Sequence, residues 1–198
     1  MNLFRVIRTG GALAALVALL APAQAAGRPS EAEIGEVQVY LTPEGALEEI
    51  FEGVVGVDTI RAVLEEEDLE GLAATLGRPV ATDRITILLP RGEDGTPLGY
   101  AVVDEEVGKY RPITFMVGLT PGREVKNVEV LVYRESRGGD VRRGRFLRQY
   151  RGKTAGDPIR SYQDIINIAG ATLSVNALNL GVKRVLLILE LLAERGIL

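Results

Sequence analysis

The chain is predicted to be an α+β domain: an antiparallel sheet of about four to six strands packed with N-terminal helices and a long C-terminal helix. Three observations lead there. Apolar residues recur at helical spacing near the start and again at the end of the chain. Between them, residues 84–133 change to runs rich in Val, Ile, Thr and Tyr, bounded by turn-forming residues. These runs follow one another too closely for parallel pairing, which needs a crossover of a dozen or more residues.

Taken in order, residues 1–26 read as a secretory signal peptide. Arg5 and Arg8 precede the apolar run Gly10–Leu20, and Ala23 and Ala25 form a small-residue cleavage site. Cleavage near Ala25/Ala26 would deliver the protein to the periplasm. The apolar run is short for a bilayer span and is followed by Pro22 and Gln24; a retained segment would instead hold the protein at the membrane. Residues 27–39 are read as a flexible lead-in and residues 40–198 as a single domain.

The first helix opens with Thr42 as cap, Pro43 at the first helical position and Glu44 at the positive end. Ala46, Leu47, Ile50, Phe51 and Val54 form its buried face. A second helical stretch runs to about Leu76, where Gly77 closes it and Pro79 prevents continuation; its acidic run, Glu65 to Asp68, reads as a solvated face. Strands follow at Arg84–Pro90, Leu98–Val107, Ile113–Leu119 and Val125–Tyr133. Thr120-Pro121-Gly122-Arg123 has the residues of a type II turn, so the last two strands form a hairpin. The closing helix begins near Leu173 and ends at Arg195-Gly196. Val175, Leu178, Val182, Val185, Leu189 and Leu192 mark its stripe, which Leu186, Leu187 and Ile188 widen. Gly181 lies inside it at a cost of roughly 1 kcal/mol relative to Ala, so it marks a close approach.

Composition limits the chemistry. The 198 residues include no histidine, cysteine or tryptophan. That excludes disulfides, Cys/His zinc sites, Cys-ligated iron–sulfur clusters, cysteine nucleophiles and His-based triads, so the chain has no metal cluster of its own. Arg5 and Arg8 are the only charges in the leader, so its removal takes the net charge from −4 to −6. Against this acidic background, Arg134, Arg137, Arg142, Arg143, Arg145, Arg148, Arg151 and Lys153 stand in one segment with only Glu135 and Asp140. Such a concentration implies a use for positive charge.

The junction before the last helix reads Asp164-Ile165-Ile166-Asn167-Ile168-Ala169-Gly170-Ala171-Thr172-Leu173-Ser174. Small residues at Gly170 and Ala171 permit close backbone approach. The first turn offers free N–H groups, and hydroxyls stand at Thr172 and Ser174. These are the elements of an anion site; the plain alternative is that Thr172 caps the helix.

With that element, several others resemble the FMN-binding domain family of exported bacterial flavoproteins. They are Gly99-Tyr100, Ile113 to Gly118, Val130 to Ser136 and Phe146 to Lys153, in the same order. The family includes the flavin-bearing subunits C and G of the sodium-pumping NADH:quinone oxidoreductase and the Rnf complexes, and the chain most resembles its small stand-alone members. The family element, D-x-x-[ST]-G-A-T, opens a helix. The resemblance implies that Thr172 takes FMN through a phosphoester installed by a separate flavin transferase, and that the partner is a membrane or periplasmic redox protein. Two positions depart from the pattern: Ala169 replaces the Ser or Thr, and Ile166 replaces the aspartate, with Asp164 two places early.

The implied site comprises Gly170, Ala171, Thr172, Leu173 and Ser174. Arg142, Arg143 and Lys153 are candidates to face the phosphate or the ring. Tyr100, Tyr133 and Tyr150 are candidates for stacking, and Glu135 for a ring or structural hydrogen bond. An electron carrier is expected rather than a stand-alone enzyme. The alternatives are a flavin-free or non-covalently binding relative acting as an interaction module, and a basic-patch binder of lipid headgroups. Net acidity and the lack of interleaved stacking aromatics argue against nucleic acid.

Overall fold

The computed structural model describes residues 35–198. The predicted leader and the start of the lead-in lie outside these residues. One antiparallel sheet of six strands forms the centre. Its strands are β1 (Gln38–Val39), β2 (Gly56–Val63), β3 (Arg84–Arg91), β4 (Tyr100–Val107), β5 (Pro112–Leu119) and β6 (Val125–Tyr133), in spatial order β1-β6-β5-β4-β3-β2. The helices are α1 (Pro43–Ile50), α2 (Glu66–Leu76), α3 (Gly144–Leu147) and α4 (Thr172–Glu194). The expected α+β class therefore holds.

The two faces of the sheet carry separate apolar cores. On one, α2 and α4 pack through Leu72, Val175, Leu178, Val182 and Leu189 against Ile87, Val102, Phe115 and Val117. On the other, Ala46, Leu47, Ile50 and Phe51 cover Ala101, Met116 and Leu131. At Gly181, α4 lies close against the sheet: a Cβ there would run into the Phe115 ring, which explains a glycine in mid-helix.

Two features differ from the sequence reading. No strand was expected between the first two helices, yet β2 pairs with β3 along its whole length, from Gly56 opposite Arg91 to Val63 opposite Arg84. Its Val57, Thr59, Ile60 and Val63 are β-branched, and a pleated edge accommodates them better than a helix. The β5–β6 hairpin also turns differently. Arg123 N–H donates to Thr120 O at 2.9 Å, and the left-handed residue is Arg123 (φ 65°), not Gly122. A type I turn followed by a left-handed residue suits a three-residue loop and carries the right-handed strand twist.

Ion pairs fix α4 along its length. Arg184, nearly buried, bonds Asp104 at 2.7 Å and Glu106 at 2.6 Å on β4. Farther along, Arg123 meets Glu190 at 2.9 Å, and Arg195 pairs with Asp68 of α2. Asp68 is buried and also accepts the Glu65 N–H at 2.9 Å, so the acidic run is only partly a solvated face.

Candidate functional site

The start of α4 lies beyond the end of β6. There Tyr133, fully buried, donates its hydroxyl proton to Arg137 O and lies 2.8 Å from Ser174 Oγ. The loop leading in is held by three side chains. Asp164 accepts the N–H groups of Arg160 at 2.8 Å and Ile159 at 3.1 Å, and pairs with Lys153 at 2.9 Å. Burial pushes the Asp164 carboxyl up, but those N–H groups and the Lys153 ammonium outweigh it and hold the pKa below the usual value. This anchoring supports a tight loop in which Ile159 (φ 48°) and Tyr162 (φ 65°) take left-handed conformations that side chains rarely adopt. Gln149 holds the next residue, accepting Ile166 N–H at 2.7 Å and reaching Ile166 O at 3.4 Å. Asn167 then donates to Tyr162 Oη at 2.7 Å and to Thr172 Oγ1 at 2.9 Å.

Thr172 is the first residue of α4, with Ala171 at the cap position and no side chain capping the helix. The first helical hydrogen bond from this end is Val175 N–H to Ala171 O. The N–H groups of Thr172, Leu173 and Ser174 thus point out of the helix start without an intrahelical acceptor. Thr172 is exposed, whereas Ser174 is buried against Tyr133. Two cavities meet at Ile166 and Asn167. One, of about 550 Å³, is lined by Tyr162, Asp164, Ala169 and Thr172. The other, of about 320 Å³, is walled by Asp140, Arg143, Arg145, Phe146, Gln149 and Ile168.

The residues singled out from the sequence separate into two groups. Gly170 (φ 80°) and Leu173 are exposed beside Thr172, Ala171 is buried beneath it, and Arg143 lines the adjoining cavity, paired with Asp140 at 2.9 Å. The others are buried, already engaged or remote from Thr172. Arg142 stacks over the Tyr40 ring at 4.6 Å, and Lys153 is engaged with Asp164 and Asp157. Glu135 Oε1 accepts the N–H groups of Lys109, Tyr110 and Arg111 at 2.5, 2.7 and 3.1 Å, so it takes the structural of its two suggested roles and holds the β4–β5 turn. Tyr133 is enclosed in the core, as is Tyr150, whose hydroxyl donates to Asn179 Oδ1 at 2.7 Å; neither has a face free for stacking. Burial raises both phenols above their ordinary pKa. Tyr100 lies near Arg123, and Arg123 pairs with Glu190. Glu190 is eighteen residues along α4 from Thr172, about 27 Å at the helical rise.

Residues 108–187 match the family model described as an FMN-binding domain. This stretch of the chain is thus similar to an FMN-binding domain. A solved structure, that of Shewanella oneidensis NqrC, is similar at 13% identity with a TM-score of 0.49, over 73% of this chain and 83% of that chain. None of the curated proteins matches.

The start of α4 has groups that suit FMN. An exposed hydroxyl stands at an uncapped helix start, where N–H groups and the helix dipole favour a phosphate. Asn167 Oδ1 beside it is buried with no hydrogen-bond partner. Apolar surface is open at the same place: Tyr162 is 81% exposed, Ile166 77% and Leu173 51%. The sequence reading did not single out Tyr162. Tyr162 is the one whose ring stands free next to Thr172, turned out by its left-handed backbone. Its place ten residues before Thr172, in the loop that enters α4, was the available signal. Asn167 was likewise legible only as part of the junction.

Proposed function

We propose that the protein is an exported electron carrier whose FMN is joined to Thr172 Oγ1 by a phosphoester. A separate flavin transferase makes the bond. Thr172 Oγ1 bonds to phosphorus, its proton passes to solvent, and the P–O bond to the departing nucleoside monophosphate of a flavin dinucleotide donor breaks. What supports Thr172 as acceptor is the contrast with its neighbour: its hydroxyl is exposed at the bare start of α4, while the Ser174 hydroxyl is buried against Tyr133.

Bound here, FMN supplies one- and two-electron transfer. The chain's contribution is to hold and bias it. First-turn N–H groups receive the phosphate. Arg143 and Arg145, on the wall of the adjoining cavity, favour negative charge on the ring and so its reduction. The segment around α3 carries further exposed arginines, Arg142 and Arg148, and a membrane or periplasmic redox partner would dock on such charge.

The test is co-production with a flavin transferase. Denatured protein should fluoresce in the gel and gain the mass of one FMN less one water. Thr172→Ala should abolish the label and Ser174→Ala should keep it. A second reading, FMN held without the ester, is favoured by Ile166 and by Asp164, whose carboxylate is fully committed to Arg160, Ile159 and Lys153. A yellow protein that releases all its flavin on denaturation would establish that reading instead.

A further inference from the structure

Asn167 is the side chain that joins the junction loop to the attachment residue. Both hydrogens of its Nδ2 are used, one on Thr172 Oγ1 at 2.9 Å and one on Tyr162 Oη at 2.7 Å. Its Oδ1 is buried without a partner. Turning the amide over would only exchange the roles, leaving Nδ2 in the enclosed position, so the free domain does not satisfy this side chain in either orientation. Buried polar atoms left unpaired are rare and costly, and where one persists a functional cause is the first to consider. Asn167 also lines both cavities that meet beside Thr172.

The geometry points to Asn167 as the residue that positions the phosphoryl group on Thr172. Its amide now holds the free Oγ1; once that atom carries phosphorus, the same amide donates to a phosphoryl oxygen. This rests on the ester reading above. An ester oxygen accepts hydrogen bonds less well than a hydroxyl, whereas the anionic phosphoryl oxygens accept them more strongly, so esterification strengthens the contact that Asn167 makes. The role also fits the departures in the junction. Ile166 and Ala169 offer no polar side chain where the family element has an acid and a hydroxyl, and Arg143 is already paired with Asp140. Among the described residues, Asn167 is the side chain hydrogen-bonded to Thr172.

The test uses the full chain produced with a flavin transferase, read by intact mass for the flavin-bearing fraction and by phosphorus NMR for the environment of the ester. Asn167→Asp keeps the shape but puts an anionic acceptor in place of the donor, and should lower the labelled fraction about tenfold. Asn167→Ser, with a shorter hydroxyl donor, should lower it less. The phosphorus resonance of the labelled, folded serine variant should move toward that of wild type unfolded in urea. Because that resonance is taken from folded, labelled protein, misfolding cannot imitate the shift. A labelled wild type with an equally labelled aspartate variant, or an unmoved resonance in the serine variant, overturns the assignment to Asn167 alone. A wild type that takes no label, under conditions that label another member of the family, overturns the ester reading and this assignment with it.

Discussion

Three helices of this domain begin in different ways. In α1, Thr42 Oγ1 accepts the Gly45 N–H at 3.1 Å, and in α2, Asp68 reaches back to the Glu65 N–H at 2.9 Å. The longest helix, α4, begins with no side-chain cap, although a threonine stands in its first turn. The helix with the most secure packing can do without a cap, since Val175, Leu178, Val182 and Leu189 are all fully buried. Its first-turn donors are thereby left available. The shorter helices use their polar residues to stabilise themselves, whereas the start of α4 is left uncapped.

That contrast can be broken at several points. The largest effect concerns the flavin: Thr172→Ala should remove all covalent label, measured by in-gel fluorescence. Next, Asp68→Ala should destabilise the fold by about 2 kcal/mol, measured by urea denaturation. It removes both the return bond to Glu65 and the buried partner of Arg195. Thr42→Ala should cost about 1 kcal/mol, the usual worth of an N-cap. Thr172→Ala should change folding stability by only about 0.5 kcal/mol or less, because this threonine caps nothing. Equal losses at Thr42 and Thr172 would mean that the two helix starts do not differ.

The smallest effect is one of pH. Asp164 titrates below its ordinary value when folded, so its stabilising contribution is present above about pH 4 and is lost as pH falls through the lowered value. The Asp164 hydrogen bond holds Lys153 above its ordinary pKa, so that contribution is present below about pH 10 and is lost as pH rises through the raised value. Asp164→Asn should flatten the acid limb of the melting temperature against pH.

How much of this was legible in the sequence depends on what each residue's role rests on. The periodic stripe of α4, its Gly181 contact and the helix-opening Thr172 depend on spacing and local chemistry, and both can be read from the chain. The strand β2 was missed because its alternation is weak at a sheet edge, where most of its residues stay exposed on both faces. Which tyrosines have a free ring face was not legible for another reason. Tyr133 and Tyr162 are chemically alike, but β6 turns one into the core and a left-handed backbone turns the other out. Arg142 and Arg143 are adjacent, yet one covers Tyr40 and the other lines a cavity; they part where the short helical turn Gly139–Arg142 gives way to extended backbone at Arg143, just before α3. Composition located the positive charge correctly but could not say which side chains already had partners.

The amide of Gln149 engages both the N–H and the C=O of Ile166, as a neighbouring strand would. The basic segment and the junction loop are therefore joined backbone to side chain between residues seventeen positions apart. Although the Ile166 side chain stands in solvent, both its backbone N–H and its C=O face the Gln149 amide, at 2.7 and 3.4 Å. The floor between the two cavities is thus set when the chain folds, and an arriving ligand does not have to order it. A site built this way can be shallow and still orient what it holds, because the loss of loop freedom has already been met by folding.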